Sequence, residues 1–206
     1  MPSSILIDRA RAPHATLVLA HGAGLPMDAP FMKTLASELS ARGVSVVRFE
    51  FPYMQRLREV GRRAPPNPMH VLEARFREVV ASLDEPAPLF IGGKSLGGRV
   101  ATRVADSLEV RGVVALGYPF HPAKRPDKLR LEHLAELRAP CLIVQGTRDP
   151  LGNREEVARY ELSTSIRVHW LEDGDHSFEP RRASGRSLVQ NMAAAVEAVV
   201  AFTQGC

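Results

Sequence analysis

The chain has 206 residues, 45% of them hydrophobic and 24% charged, which is enough length and apolar content for one compact domain over residues 1–206 with its own core. No run approaches the roughly 18 consecutive apolar residues of a membrane span, and no basic-then-apolar leader opens the chain, so a soluble cytoplasmic protein with no membrane partner is the expectation. The formal net charge is +4, but the basic residues are mostly scattered arginines, and the doublets Arg62-Arg63 and Arg181-Arg182 are too short for a basic tract, which argues against a nucleic-acid partner.

Residues 4–7 read as a short edge strand. Residues 16–20 form an apolar strand that runs straight into His21-Gly22-Ala23-Gly24. Over 30–42, Phe31, Leu35 and Leu39 recur at helical spacing, with Gly43 as the stop. Residues 44–49 are the next strand. The stretch 52–68, rich in Arg and Pro, reads as a loop with at most a short helix. Over 71–83 the residues Val71, Leu72, Phe76, Val79, Val80 and Leu83 mark an amphipathic helix. An apolar run from Leu89 then ends in Gly93-Lys94-Ser95-Leu96-Gly97, and helical spacing follows at once through Val100, Val104 and Leu108.

Residues 112–116 are another strand, 118–126 a proline-bounded loop and 129–137 a short helix. Cys141 lies in the strand 141–145, which leads into Gly146-Thr147-Arg148-Asp149-Pro150. With Cys206 at the other end of this part of the chain, the two cysteines supply neither a disulfide framework nor a metal spacing. Residues 154–162 read as a helix, 166–171 as the last strand, 172–178 as a polar loop holding His176, and 187–202 as a long closing helix. Strands alternating with helices in this way predict an α/β fold: a doubly wound, mostly parallel sheet of about six to seven strands with helices on both faces. Functional groups then collect in loops at the carboxyl ends of strands. Four such loops carry residues 21–24, Ser95, Asp149 and His176.

A Gly-x-Ser-x-Gly pentad between a strand and a helix is the context of a nucleophile elbow. Its serine sits at a strained backbone angle, and Gly93 and Gly97 remove the collisions that side chains there would make. Two nucleotide-binding readings fail. The phosphate-loop motif needs a glycine at position 88, which is Pro88, and the dinucleotide fingerprint beginning at Gly22 needs one where Met27 stands.

A serine hydroxyl needs a general base, usually His, and the base needs an acid to hold its tautomer. Among the histidines, His169 falls inside a strand, His14 and His70 lie at element starts, and His121 and His133 precede Asp149. His176 remains as the base, and Asp149 as its acid; Asp173 and Asp175 share the loop of His176 and shape its turn. Ser95, Asp149 and His176 are therefore the candidate catalytic residues, with the backbone N–H groups of Ala23 and Leu96 as oxyanion donors. His21 and Lys94 read as loop-bracing residues. No metal or other cofactor is called for.

The segments His-Gly-Ala-Gly, Gly-Gly-Lys-Ser-Leu-Gly-Gly-Arg, Gln-Gly-Thr-Arg-Asp-Pro and Gly-Asp-His-Ser-Phe, in this order, resemble the α/β-hydrolase superfamily. The compact size and the lack of a cap domain are similar to its dienelactone-hydrolase-like branch. The lysine in the elbow, residues 117–122 and the 52–63 region resemble a smaller group, which holds bacterial hydrolase-like proteins and the hydrolase-like domain of an NSL chromatin-complex subunit. The resemblance covers residues 14–203 and implies the same triad and the same oxyanion donors. Dienelactone hydrolases carry cysteine at the nucleophile position, where this chain has Ser95, so that substrate is not implied. What is implied is a serine hydrolase acting on small-molecule esters, thioesters or lactones through an acyl-enzyme. The alternative is a hydrolase fold kept as a binding or scaffolding module.

No insertion is long enough for a lid. The loops 52–68 and 118–126 are expected to line a short cleft with Tyr53, Met54, Tyr118 and Phe120, rimmed by Arg56, Arg58, Arg62 and Arg63. Short acyl esters, and substrates bearing a carboxylate, are the corresponding expectation.

Overall fold

The computed structural model of the chain describes residues 5–62, 64–84 and 87–206. Its strands are β1 (Ile5–Asp8), β2 (Ala15–Ala20), β3 (Val44–Phe49), β4 (Leu89–Lys94), β5 (Gly112–Leu116), β6 (Cys141–Gly146) and β7 (Ile166–Leu171). They join in one seven-stranded sheet in the order β1-β3-β2-β4-β5-β6-β7. Only β1 runs antiparallel, along β3; every other pairing is parallel. From β2 the chain winds outward to β3, then crosses back over β2 to β4. β2 and β4 are therefore the neighbours at which the winding reverses, and at such a point the connecting loops part and leave a crevice at the carboxyl edge.

The helices are α1 (Pro30–Ala41), α2 (Pro52–Val60), α3 (Met69–Ala81), α4 (Leu96–Val104), α5 (Glu132–Ala135), α6 (Arg154–Val157) and α7 (Leu188–Gly205). Alternate strand residues feed two apolar layers. Val18, Val47, Ile91, Val113 and Ile143 pack under α3 and α4, while Leu17, Val46, Phe90, Val114 and Leu142 pack under α1 and α7. Burial on both faces is why the central strands read as unbroken apolar runs rather than as alternations. Phe76 on α3 is wholly buried and meets Phe49 edge to face, with centroids 5.0 Å apart. No helix among the described residues is long and apolar enough to cross a membrane.

Three local expectations change. The edge strand is Ile5–Asp8; Ser4, included in the sequence reading, lies outside the described residues. The stretch expected as a loop begins with α2, a nine-residue helix. Pro52 occupies its first turn, where a missing N–H costs nothing, and Gly61 ends it at φ 67 with its N–H donated to the Leu57 carbonyl at 2.8 Å. With three charged residues and a glutamine among nine, it carries too little apolar stripe to read from periodicity. The helix expected over 154–162 is one α-turn, α6, capped by a reciprocal pair between Asn153 and Glu156. The backbone then tightens, with Arg159 and Tyr160 donating to the third residue back.

Replacing Phe76 by alanine should cost about 3–5 kcal/mol of unfolding free energy, because the hole it leaves is walled by the sheet and cannot collapse. Urea unfolding followed by circular dichroism measures this, and a loss well under that range would place Phe76 outside the core.

Candidate active site

Ser95 follows β4 directly and precedes α4, with φ 51 and ψ −111. Few residues with a side chain adopt that conformation, and it persists only where the surroundings enforce it. Here the enforcement is visible on both sides. The Ser95 N–H is held by the Leu116 carbonyl at 2.9 Å, and its own carbonyl accepts from Arg99 at 3.0 Å. A Cβ on residue 97 would sit 2.5 Å from the Ala20 carbonyl oxygen, and one on residue 93 would run into Gly97. The end of β2, the end of β4 and the start of α4 therefore touch backbone to backbone. The turn lifts the serine to the N-terminus of α4, where partial positive charge favours a developing anion.

The loops after β6 and β7 bring Asp149 and His176 to the same place. His176 Nδ1 lies 2.8 Å from Asp149 Oδ2, and His176 Nε2 lies 2.9 Å from Ser95 Oγ. The carboxylate can only accept, so Nδ1 carries the hydrogen and Nε2 presents its lone pair to the serine hydroxyl. Asp149 is fully buried. Its second oxygen accepts from the Leu151 N–H at 2.8 Å, and Gln145 Nε2 donates to Oδ2 at 3.0 Å. Gln145 is itself buried at the end of β6, and its Oε1 accepts from the Tyr118 N–H at 2.7 Å. The sequence reading missed this residue, although an amide closing an apolar strand four residues before the acid was the available signal. Asp175 turns the His176 loop by accepting from the Ser177 and Glu179 N–H groups at 2.7 and 3.0 Å. Asp173 pins the same loop to Arg148 and Arg181; the Arg181 guanidinium beside it holds its carboxyl down at about 2.

On the other side of Ser95 stands the turn 22–25. His21 is buried, its Nδ1 2.6 Å from the Gly22 carbonyl and its Nε2 accepting from the Phe51 N–H at 3.1 Å. Burial lowers its pKa, consistent with a neutral ring that ties the turn to the end of β3. The Tyr53 hydroxyl donates to the Gly22 and Ala23 carbonyls at 3.2 and 3.1 Å. With its carbonyls engaged behind, this turn lines the same cavity as Ser95. Among the described residues, the N–H groups of Ala23 and Leu96 have no hydrogen-bond acceptor. Ala23 belongs to the same cavity wall as Ser95, and Leu96 follows Ser95 directly in the chain.

Residues 13–204 match the alpha/beta hydrolase domain family. The chain belongs to that family. Solved structures that share its fold include a lidless α/β serine hydrolase from Xanthomonas campestris, at TM-score 0.71 and 21% identity over 95% of this chain and 87% of that one. A dienelactone hydrolase from Anabaena variabilis superposes at TM-score 0.74 with 20% identity over 98% and 90% of the two chains. An esterase domain from Rhodothermus marinus superposes at TM-score 0.66 with 21% identity over 95% and 89%.

In this α/β-hydrolase the described residues form no cap domain over the carboxyl edge of the sheet, and Ser95 and His176 open onto a cavity of about 720 Å³. Its walls are the turn 22–25, the start of α1 and the start of α7. The residues expected to line the cleft do not do so. Tyr53, Met54, Tyr118 and Phe120 are 4%, 2%, 0% and 0% exposed and belong to the apolar layer on the α3 and α4 side of the sheet. The reason is local: α2 folds where a loop was expected and turns Tyr53 and Met54 inward. Tyr118 and Phe120 meet edge to face with centroids 4.8 Å apart, and Phe120 lies against Tyr160. The expected arginine rim is likewise absent from the cavity wall. Arg58 is held by Glu50 and Asp28, Arg56 and Arg62 are exposed elsewhere, and Arg63 lies outside the described residues. Among the described residues no three of His, Cys, Asp and Glu gather as a metal-binding group.

Lys94 is part of the cavity wall. Its Nζ donates to the His176 carbonyl at 2.7 Å and lies 5.6 and 5.8 Å from the ring centroids of Phe31 and Phe178. It thus clamps the base loop to the elbow. Burial pushes its pKa from 10.5 down to about 8, against the opposing pull of Asp149 and Asp175. Between these two values the unfolded chain binds more protons than the folded one, so stability rises with pH across that window, and the charged lysine costs stability below it. The melting temperature of Lys94→Met minus that of the native chain should therefore be most positive near about pH 7 and fall as the pH climbs from about 8 toward about 10. Thermal unfolding of both proteins across that range measures it, and a pH-independent difference would count against the assignment.

Proposed function

We propose that this chain is a serine hydrolase that cleaves small-molecule carboxylic esters through an acyl-enzyme on Ser95. The observation that carries this reading is the unbroken relay Asp149–His176–Ser95, at 2.8 and 2.9 Å, ending on a strained serine at the mouth of a cavity. Membership of the alpha/beta hydrolase domain family, on a fold shared with an esterase domain, supports it.

In this mechanism Ser95 Oγ attacks the acyl carbon while its proton passes to His176 Nε2. The carbonyl oxygen becomes an oxyanion between the Ala23 and Leu96 N–H groups, at the positive end of α4. Asp149, buried and held by Gln145 and the Leu151 N–H, stabilises the imidazolium without taking its proton. The imidazolium then protonates the departing alkoxide as the acyl C–O bond breaks, leaving the acyl-Ser95 ester and a free alcohol. Water repeats the sequence: it loses a proton to His176, attacks the acyl carbon, and releases the carboxylic acid as Ser95 recovers its proton. A thioester or a lactone presents the same acyl carbon and follows the same steps.

Ser95→Ala should fold as the native chain does and lose both labelling by a fluorophosphonate probe and turnover of p-nitrophenyl esters. Labelling that survives in Ser95→Ala would sink the assignment. Asp149→Asn should lower kcat by roughly 10⁴ by favouring the wrong imidazole tautomer, whereas Asp175→Asn should do far less. Steady-state kinetics of the two variants decide this, and the reverse ranking would transfer the orienting role to Asp175.

A further inference from the structure

Large apolar side chains left in water are unevenly placed on this molecule. Leu25, Leu188 and Val189, at 58%, 41% and 77% exposure, all belong to the cavity that opens on Ser95. Leu188 and Val189 are the first residues of α7, directly after its capping Ser187, and nothing in the fold of the helix requires them to be apolar. Behind them the wall continues inward through Phe31, Met32 and Met192, the last two being 2% and 8% exposed. An apolar rim that leads into an apolar interior is the lining of a hydrocarbon site, since polar residues would serve equally well if water were the only occupant.

The charges point the same way. Glu38 and Lys94 are the charged side chains on the cavity wall. Glu38 is paired with Arg42 and offers an anionic substrate no attraction. Lys94 is already committed to the His176 carbonyl and flanked by Phe31 and Phe178. The volume of about 720 Å³ is far larger than an acetyl group and falls in the range of sites that enclose drug-sized ligands. The acyl group stays bonded to Ser95 through both halves of the reaction, while the alcohol must leave after the first. The group held longest beside Ser95 is therefore the one that a cavity beginning at Ser95 shelters.

Resting on the reading of Ser95 as the nucleophile, we infer that the space between the starts of α1 and α7 is an acyl-chain site, and that the preferred substrates are esters of uncharged, medium-length aliphatic acyl groups. This replaces the short acyl esters and the carboxylate-bearing substrates expected from the sequence. Leu25, Leu188 and Val189 are the specificity-determining residues at its mouth, and Met192 sets its depth.

Each methylene carried from water into the cavity should raise kcat/KM by roughly three- to fourfold, so p-nitrophenyl octanoate, with about six more methylenes, should exceed the acetate by roughly 700-fold or more, measured below the solubility limit of the ester. Val189→Asp, at an exposed position where folding is not at risk, and Met192→Trp should each lower the octanoate-to-acetate ratio by about tenfold or more. Val60→Asp, another exposed apolar position outside the cavity, should leave that ratio unchanged. Equal turnover of acetate and octanoate, or a ratio that survives both cavity substitutions, would overturn the inference while fluorophosphonate labelling of Ser95 kept the hydrolase reading intact. A rate that rises with the alkyl length of the alcohol in a series of acetates, and not with the acyl chain, would overturn the acyl assignment. If neither ester is hydrolysed and Ser95 is not labelled, the underlying hydrolase reading fails, and this inference with it.

Discussion

The backbone contact between Gly97 and the Ala20 carbonyl is the constraint on which the site depends. It presses the first turn of α4 against the end of β2, and Ser95, caught between that helix and β4, has no relaxed conformation open to it. From this one contact follow the height of the serine above the sheet, its place at a helix N-terminus, and its closeness to the turn 22–25. Any side chain at residue 97 would have to part α4 from β2. That movement would carry Ser95 away from both His176 and Ala23.

Precision at Ser95 would be idle if the other loops were loose, and each is tied by buried polar groups rather than by packing alone. Gln145 holds Asp149 from within the sheet edge. Asn191, buried on α7, donates to the Phe178 and Glu172 carbonyls at 2.8 and 3.3 Å, and Lys94 reaches the His176 carbonyl from the elbow itself. Three amide or ammonium donors thus satisfy carbonyls and a carboxylate that the loop geometry would otherwise leave unpaired in a dry setting, where an unmade hydrogen bond is expensive. The same bonds couple both α7 and the elbow to the loop that carries His176, so the cavity wall and the Ser95–His176–Asp149 cluster form one connected body.

The two faces of the sheet divide the labour. On the α3 and α4 side aromatic residues fill a closed core, with Phe49, Phe51, Tyr53 and Phe76 meeting mainly edge to face around His21. The opposite side, under α1 and α7, closes less completely at the carboxyl edge, and the cavity lies there. Tyr53 shows how the first face serves the second: buried in the core, it sends its hydroxyl to the back of the turn that faces Ser95.

Much of this was legible in the residues because it rests on short-range rules. Largely apolar runs mark β2 to β6, since a strand covered on both faces has little polar alternation, whereas the edge strand β7 alternates Arg167 and His169 with apolar residues. The pentad around Ser95 marks the elbow, since only glycine tolerates backbone at such distances. Asp149 and His176 stand in loops that directly follow strands, and in a parallel sheet those loops share one edge whatever the details. Helix α2 was hidden because its charged face outweighs its apolar one until α3 and the sheet are present to bury Tyr53 and Met54. Which side of the sheet keeps the cavity is a property of no segment. It depends on how far α1 and α7 stand apart at the carboxyl edge, and that distance is settled only when all seven strands and both helix layers have packed. By itself, the chain determined the strands, the elbow and the order in which Ser95, Asp149 and His176 follow their strands. The tertiary structure alone decided which side chains surround them, because a residue such as Tyr118 or Val189 faces core or cavity according to neighbours far away in sequence.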